Sequence, residues 1–118
     1  MAYEHRIYVV KPSRDSIGDC GKYWASVIAV FNLGYTPGLL DFVKRYRTSR
    51  YFIYGENERE ITEDPYGDDL TEVSLTEFID DIEAIEESRR SRYVTAMLAA
   101  LKVFKECTCD LVVLHYGY

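Results

Sequence analysis

Cysteine is scarce in this chain of 118 residues, and the three that occur, Cys20, Cys107 and Cys109, have spacings that fit no disulfide framework. We expect free thiols in a reducing compartment. Long apolar runs are missing too, because the richest, YWASVIAVFNLG, is shorter than the roughly 18 residues of a membrane helix. The amino-terminal MAYEHRIYVV lacks the basic region and apolar core of an export signal. We therefore expect a cytoplasmic protein without a membrane span.

Motifs for metal binding and catalysis are also sparse. The spacing Cys107-x-Cys109 is too short for a structural zinc site, and only Cys20, His5 and His115 remain to complete one. Cys20 and His115 are the one plausible thiol and imidazole pair, but a single histidine in an apolar terminal strand is typical of a core residue. We expect no metal, no cofactor and no enzymatic activity. A small Cys/His enzyme is the least favoured alternative.

Disorder is excluded by composition, since 47% of the residues are hydrophobic and 14% are aromatic. Eleven tyrosines, each with a large apolar ring and a hydroxyl, suit half-exposed surfaces and interfaces as well as cores. The length fits one core. We therefore predict a single globular domain over residues 1–118.

The first half of the chain predicts two strands and two helices. HRIYVVKP, closed by Pro12, predicts a strand, and residues 13–21 predict a loop. Apolar residues surround most of a helix over residues 22–33, with Trp24 and Phe31 among them. A short helix follows from Pro37 to about Tyr46, and RYFIY predicts the second strand.

The second half predicts an edge strand, two helical stripes and a terminal strand. The charged residues 58–62 predict an edge strand, and residues 63–73 predict a loop. Ser74 and Glu77 form a capping box before an apolar stripe, and a second stripe runs to about Glu106. The pattern does not decide whether the chain is continuous or broken near Ser88. DLVVLHYGY predicts a strand anchored in the sheet.

Together these elements predict an α+β domain in the order β-α-α-β-β-α-α-β. Strands interspersed with helices, with one internal hairpin, favour a mixed sheet of about four strands packed with helices.

Basic residues are almost absent from one segment, and this is the most informative absence. Residues 56–87 hold 14 acidic residues and only one basic residue, Arg59, for a local charge of −13, although the chain as a whole carries −6. This pattern opposes direct nucleic-acid binding by the whole molecule. Two explanations remain open: the acidic residues pair with the chain's own basic clusters, or they form a docking surface for a basic protein partner.

The second explanation is our leading functional hypothesis: a non-catalytic binding module whose carboxylates imitate the spaced charges of a nucleic-acid backbone. The predicted partner-binding residues are Asp64, Tyr66, Asp68, Asp69, Glu72, Glu77, Asp80, Asp81, Glu83 and Glu87. In size, charge and aromatic content the chain resembles the short acidic accessory proteins of phages and mobile elements, including anti-CRISPR and anti-restriction inhibitors. That resemblance implies an inhibitor that blocks a nucleic-acid-handling protein.

The alternative hypothesis is a structural or scaffolding subunit. It would form a homodimer through the predicted apolar helix 22–33, with Trp24 and Phe31 as anchors.

Overall fold

The computed structural model describes residues 5–18, 21–33, 38–55, 59–63, 67, 69–85, 88, 90–107 and 110–117. Within these ranges the strands are β1 (His5–Ile17), β2 (Tyr23–Leu33), β3 (Arg47–Thr48), β4 (Tyr51–Tyr54), β5 (Glu60–Ile61), β6 (Thr71–Ser74) and β7 (Val112–Gly117). The helices are α1 (Leu39–Val43), α2 (Leu75–Ala84) and α3 (Arg92–Cys107).

The strands form one curled, mixed sheet in the order β3-β6-β7-β1-β2-β4-β5. All neighbouring pairs are antiparallel except β2 and β4, which run parallel. The prediction of a four-stranded sheet packed with helices is therefore wrong, because the described residues contain seven strands and three helices. The terminal strand was predicted correctly, since β7 lies between β6 and β1 in the interior of the sheet.

The largest error concerns residues 22–33, which form β2 and not a helix. β2 pairs with β1 along its length, from His5 opposite Leu33 to Pro12 opposite Ala25. A bulge at Ile28 shifts this register, so the alternation of the strand changes phase in the middle of the run. Because the alternation of side chains between the two faces is interrupted, the sequence pattern did not reveal the strand. The β-branched and aromatic residues of the run do favour a strand. A homodimer at this segment consequently cannot use a helix.

The other differences are strands that the sequence pattern did not predict. β1 continues to Ile17 through part of the predicted loop 13–21, and β6 begins in the predicted loop 63–73 and ends at Ser74. β3 lies in residues 44–50, which we call the basic run because they include Lys44, Arg45, Arg47 and Arg50. The short β3 and β6 pair with each other, Arg47 opposite Glu72. Short charged strands of this kind form because a neighbouring strand supplies their hydrogen bonds, which no local pattern reveals.

The helices agree better with the sequence. The Oγ of Ser74 accepts a hydrogen bond from the Glu77 N–H at 3.2 Å and caps α2, as predicted. Ser91 caps α3 in the same way, accepting from the Val94 N–H at 3.1 Å. α2 ends at Ala84 and α3 begins at Arg92, so the two stripes are separate helices. Within the described residues no helix is long and apolar enough to cross a bilayer.

The sheet has an apolar core on each face. Alternate residues of β1 point in opposite directions: Ile7 and Val9 join the core beneath the helices, and Tyr8 and Val10 join the core inside the curl. The helix-side core includes the buried residues Leu75, Phe78, Ile79 and Ile82 of α2 and Val94, Met97, Leu98 and Leu101 of α3. The inner core includes Ala25, Tyr51, Ile53, Leu70 and Leu114.

Hydrogen bonds near Leu70 tie the two ends of the curled sheet together. The Leu70 N–H donates to the Thr62 carbonyl at 3.1 Å, and the Leu70 carbonyl accepts from the Ser49 N–H at 2.8 Å. Glu63 and Asp69 form an isolated antiparallel bridge beside these bonds. Strand β6 is thereby connected to the segment after β5 and to the segment before β4. The acidic segment is thus a structural part of the closed end of the sheet.

Candidate functional site

Glu72 lies on β6 at the closed end of the sheet and is buried, with 4% of its side chain exposed. Its Oε1 accepts from the Arg50 backbone N–H at 2.7 Å and from the Arg50 Nε at 3.1 Å, and its Oε2 accepts from the Arg50 Nη2 at 3.2 Å. These hydrogen bonds and the carboxylate charge raise the pKa of the Arg50 guanidinium above its ordinary value. Glu72 was predicted to bind a partner, but its carboxylate already binds this chain's own arginine.

A cleft of about 340 Å³ opens beside this pair, between the start of α2 and strands β3, β6 and β7. Its lining consists of Arg45, Tyr46, Arg47, Arg50, Glu72, Val73, Ser74, Glu77 and Val112. The Arg45 guanidinium lies over the Phe42 ring, 4.9 Å from its centroid. Residues of the basic run and of the acidic segment therefore meet at this cleft. For these residues the arrangement agrees with the explanation in which acidic residues pair with the chain's own basic clusters.

Asp81 is the second carboxylate held by the chain itself. Its Oδ2 accepts from the Tyr46 hydroxyl at 2.6 Å. Burial of the hydroxyl, and then the hydrogen bond to this carboxylate, raise the pKa of Tyr46 far above its ordinary value. This contact joins α2 to the segment that follows α1. It leaves Asp81 half-buried, so this residue contributes less charge to the surface than the sequence suggested.

Glu83 forms a surface ion pair with α3. Its Oε1 lies 3.3 Å from the Nζ of Lys102, and both side chains are about half exposed. Such pairs are weak because water and salt screen them. A competing cation can therefore displace Lys102, and Glu83 remains accessible.

Glu77 and Asp80, like Glu83, are exposed carboxylates of α2. Within the residues that the structure describes, neither carboxylate forms an ion pair within 4 Å. They lie three residues apart on the helix, so their side chains are neighbours on one surface. We call Glu77, Asp80 and Glu83 the acidic α2 surface.

The remaining predicted site residues divide into two groups. Asp69 is exposed beside its bridge to Glu63, at the closed end of the sheet. Asp64, Tyr66, Asp68 and Glu87 lie outside the described residues. Of the six predicted residues that the structure describes, it therefore brings together Glu77, Asp80 and Glu83 as an exposed group.

The residues suggested for metal or thiol chemistry are described only in part. His115 is buried on β7, and Cys107 is an exposed free thiol at the end of α3. Cys20 and Cys109 lie outside the described ranges. Among the described residues, no three side chains of the ligating types lie close enough to hold a metal ion.

Sequence reasoning named the basic cluster from Lys44 to Arg50 as a possible internal partner of the acidic segment, but it missed Tyr46 and Lys102 as partners of Asp81 and Glu83. The basic run around Arg50 was visible, but only the pairing of β3 with β6 places it beside Glu72. Tyr46 is 35 residues from Asp81, and no local pattern relates them.

Comparison with known proteins adds no family. No family model, curated protein or solved structure matches this chain. Its function must therefore be argued from its own side chains.

Proposed function

We propose that this chain is a non-catalytic cytoplasmic protein that binds another protein through the acidic α2 surface. The observation that carries the proposal is the exposure of Glu77 and Asp80, neither of which forms an ion pair within 4 Å among the described residues. Glu77 lies in the first turn of α2, where a negative charge is favourable, but Glu77 and Asp80 are like charges three residues apart and destabilise the helix slightly. A cationic partner would relieve that repulsion.

The spacing of the carboxylates indicates the chemistry of the partner. Glu77, Asp80 and Glu83 follow at intervals of three residues, which places successive Cβ atoms roughly 5–6 Å apart. A groove of lysines and arginines that normally neutralises successive phosphates can neutralise such a row of carboxylates instead. The partner we propose is therefore a nucleic-acid-handling protein, and occupation of its groove would inhibit it.

The rigidity of α2 favours this use of its outer face. The helix is capped by Ser74, and Leu75, Phe78, Ile79 and Ile82 on its other face are buried in the core. The carboxylates are consequently held in place before binding, which limits the conformational entropy that a partner must overcome. Steering by the local negative field would also speed the encounter at low salt.

The proposal is tested by affinity capture with matched variants. The chain is immobilised as wild type, as the double variant Glu77→Gln with Asp80→Asn, and as the control Glu63→Gln with Glu106→Gln. Both double variants raise the net charge by the same amount at exposed positions. We expect wild type and control to retain the same nucleic-acid-binding proteins and the α2 variant to lose them.

Two further measurements make the outcome specific. Captured proteins should elute as salt rises, and a DNA duplex added in solution should compete for them, because the same groove binds both. Equal retention by the α2 variant would contradict the proposal. Retention that the duplex does not affect would contradict the nucleic-acid mimicry while leaving protein binding in place.

A further inference from the structure

Strand β2 carries a cluster of exposed apolar side chains. Tyr23, Val27, Ile28 and Val30 are exposed to 39%, 37%, 43% and 47%; we call them the β2 strip. The other exposed large apolar residues in the described ranges, Ile17, Tyr54, Tyr93 and Val103, are spread over three elements, β1, β4 and α3. A cluster of this kind on one strand is typical of an interaction surface, whereas scattered apolar residues are ordinary.

The outer edge of β2 is open as well as apolar. β4 pairs with β2 only at Tyr23 and Trp24. Toward the other end, the Asn32 N–H donates to the Tyr93 hydroxyl at 3.2 Å. Between these points, within the described residues, no strand lies along the outer side of β2. The backbone groups along this side are therefore available to another strand.

Charge distinguishes this edge from the first and last strands of the sheet. β3 carries Arg47 and β5 carries Glu60, and charges on an edge discourage pairing with another chain. Tyr23–Leu33 contains no charged residue. The β2 edge therefore lacks the usual protection against association.

We propose that the β2 strip binds the β2 strip of a second copy of this chain, with the two strands antiparallel about a twofold axis. Val27 lies opposite Val10 and Val30 opposite Tyr8, and both Val10 and Tyr8 belong to the inner core, so the two valines share one face across the bulge. A contact centred between Ile28 and Ala29 places Val27 of one copy opposite Val30 of the other. The two symmetry-related pairs of Val27 with Val30 then lie on the same face of the joined strands. The contact surface of each copy is therefore complementary to itself.

The charge distribution favours a second copy as the occupant. The chain carries −6, and two copies would repel each other if their acidic regions met. α2 packs against β6 and β7, on the far side of β1 from β2. The proposed contact brings together only uncharged strands and keeps the acidic α2 surfaces apart. It is independent of the proposed partner of α2.

The oligomeric state tests the proposal. We expect the molar mass from light scattering to rise from monomer to dimer with concentration. Val30→Lys should raise the dissociation constant at least about tenfold, since it places two lysines in the contact. Val103→Lys is the matched control, because Val103 is exposed on α3 and its substitution leaves the strip intact. A monomer at every concentration up to the solubility limit, or equal effects of the two variants, would overturn the proposal.

A cross-linking experiment tests the register separately. Cys20, Cys107 and Cys109 are first replaced by serine, and Val27→Cys and Val30→Cys are made singly in that background. An equal mixture of the two variants should form a disulfide-linked dimer under mild oxidation, because opposite residues lie close enough to bond. Each variant alone should remain unlinked, since its two cysteines would lie roughly 10 Å apart. Linkage of either variant to itself would contradict this register.

Discussion

Glu72 and the carboxylates of α2 belong to one acidic run, but they lie in opposite environments. Glu72 is buried on a strand and receives three hydrogen bonds from Arg50, whereas Glu77 and Asp80 are exposed on a helix and have no ion pair among the described residues. The change from strand to helix at Ser74 separates them. Net charge along a sequence therefore combines carboxylates that hold the fold with carboxylates that are open to a partner.

The largest expected effect is at Glu72. Glu72→Ala removes a charged acceptor from the backbone and the guanidinium of Arg50, and we expect the free energy of unfolding to fall by about 2–3 kcal/mol. Glu72→Gln retains an acceptor and should cost less. Chemical denaturation measures both. If Glu72→Ala lowered the free energy of unfolding no more than Asp80→Ala, the two carboxylates would contribute equally to stability, which would contradict the difference between their environments.

The contact between Tyr46 and Asp81 should have an intermediate effect. Tyr46→Phe removes one hydrogen bond to a half-buried carboxylate, which we expect to cost about 1 kcal/mol. The raised pKa of Tyr46 in the folded state means that its contribution is full below the ordinary tyrosine pKa of about 10 and is lost as pH rises above it, because only the unfolded chain then releases this proton. The alkaline loss of stability should therefore be smaller in Tyr46→Phe than in wild type. Urea denaturation of both proteins between neutral and alkaline pH measures this difference. Parallel profiles of the free energy of unfolding against pH would contradict the contribution of Tyr46.

The smallest effect is expected at the Glu83 and Lys102 pair. Each partner is about half exposed, so the coupling energy in a double-mutant cycle of Glu83→Gln and Lys102→Met should be below about 1 kcal/mol and should decrease in high salt. A larger, salt-independent coupling would assign Glu83 to the structural group with Glu72.

The sequence predicted those elements whose residues carry their own local signal. Ser74 with Glu77 located the start of α2, and the apolar stripes located both long helices. Pairing between distant strands had no such signal. β2 was misread because the bulge at Ile28 breaks its alternation, and β3 and β6 are too short and too charged to be recognised before each is placed beside the other.

The candidate site could be predicted only in part for the same reason. Exposure of Glu77 and Asp80 follows from their place opposite the buried face of α2, which the helical period reveals. Burial of Glu72 depends on Arg50, which lies 22 residues earlier and reaches it only through the pairing of β3 with β6. The periodicity of one helix can be recognised in the sequence, but the proximity of two distant segments cannot.

The position of β7 has a consequence for the folding pathway. This strand pairs with β1 in the middle of the sheet, so His5 meets Gly117 across nearly the whole chain. Until β7 is in place, β1 lacks one of its two neighbours and much of the apolar surface of the sheet stays open to water. Contacts between such distant residues also slow folding. Pairing of β7 with β1, more than the growth of any single helix, should therefore set the moment at which this domain becomes compact.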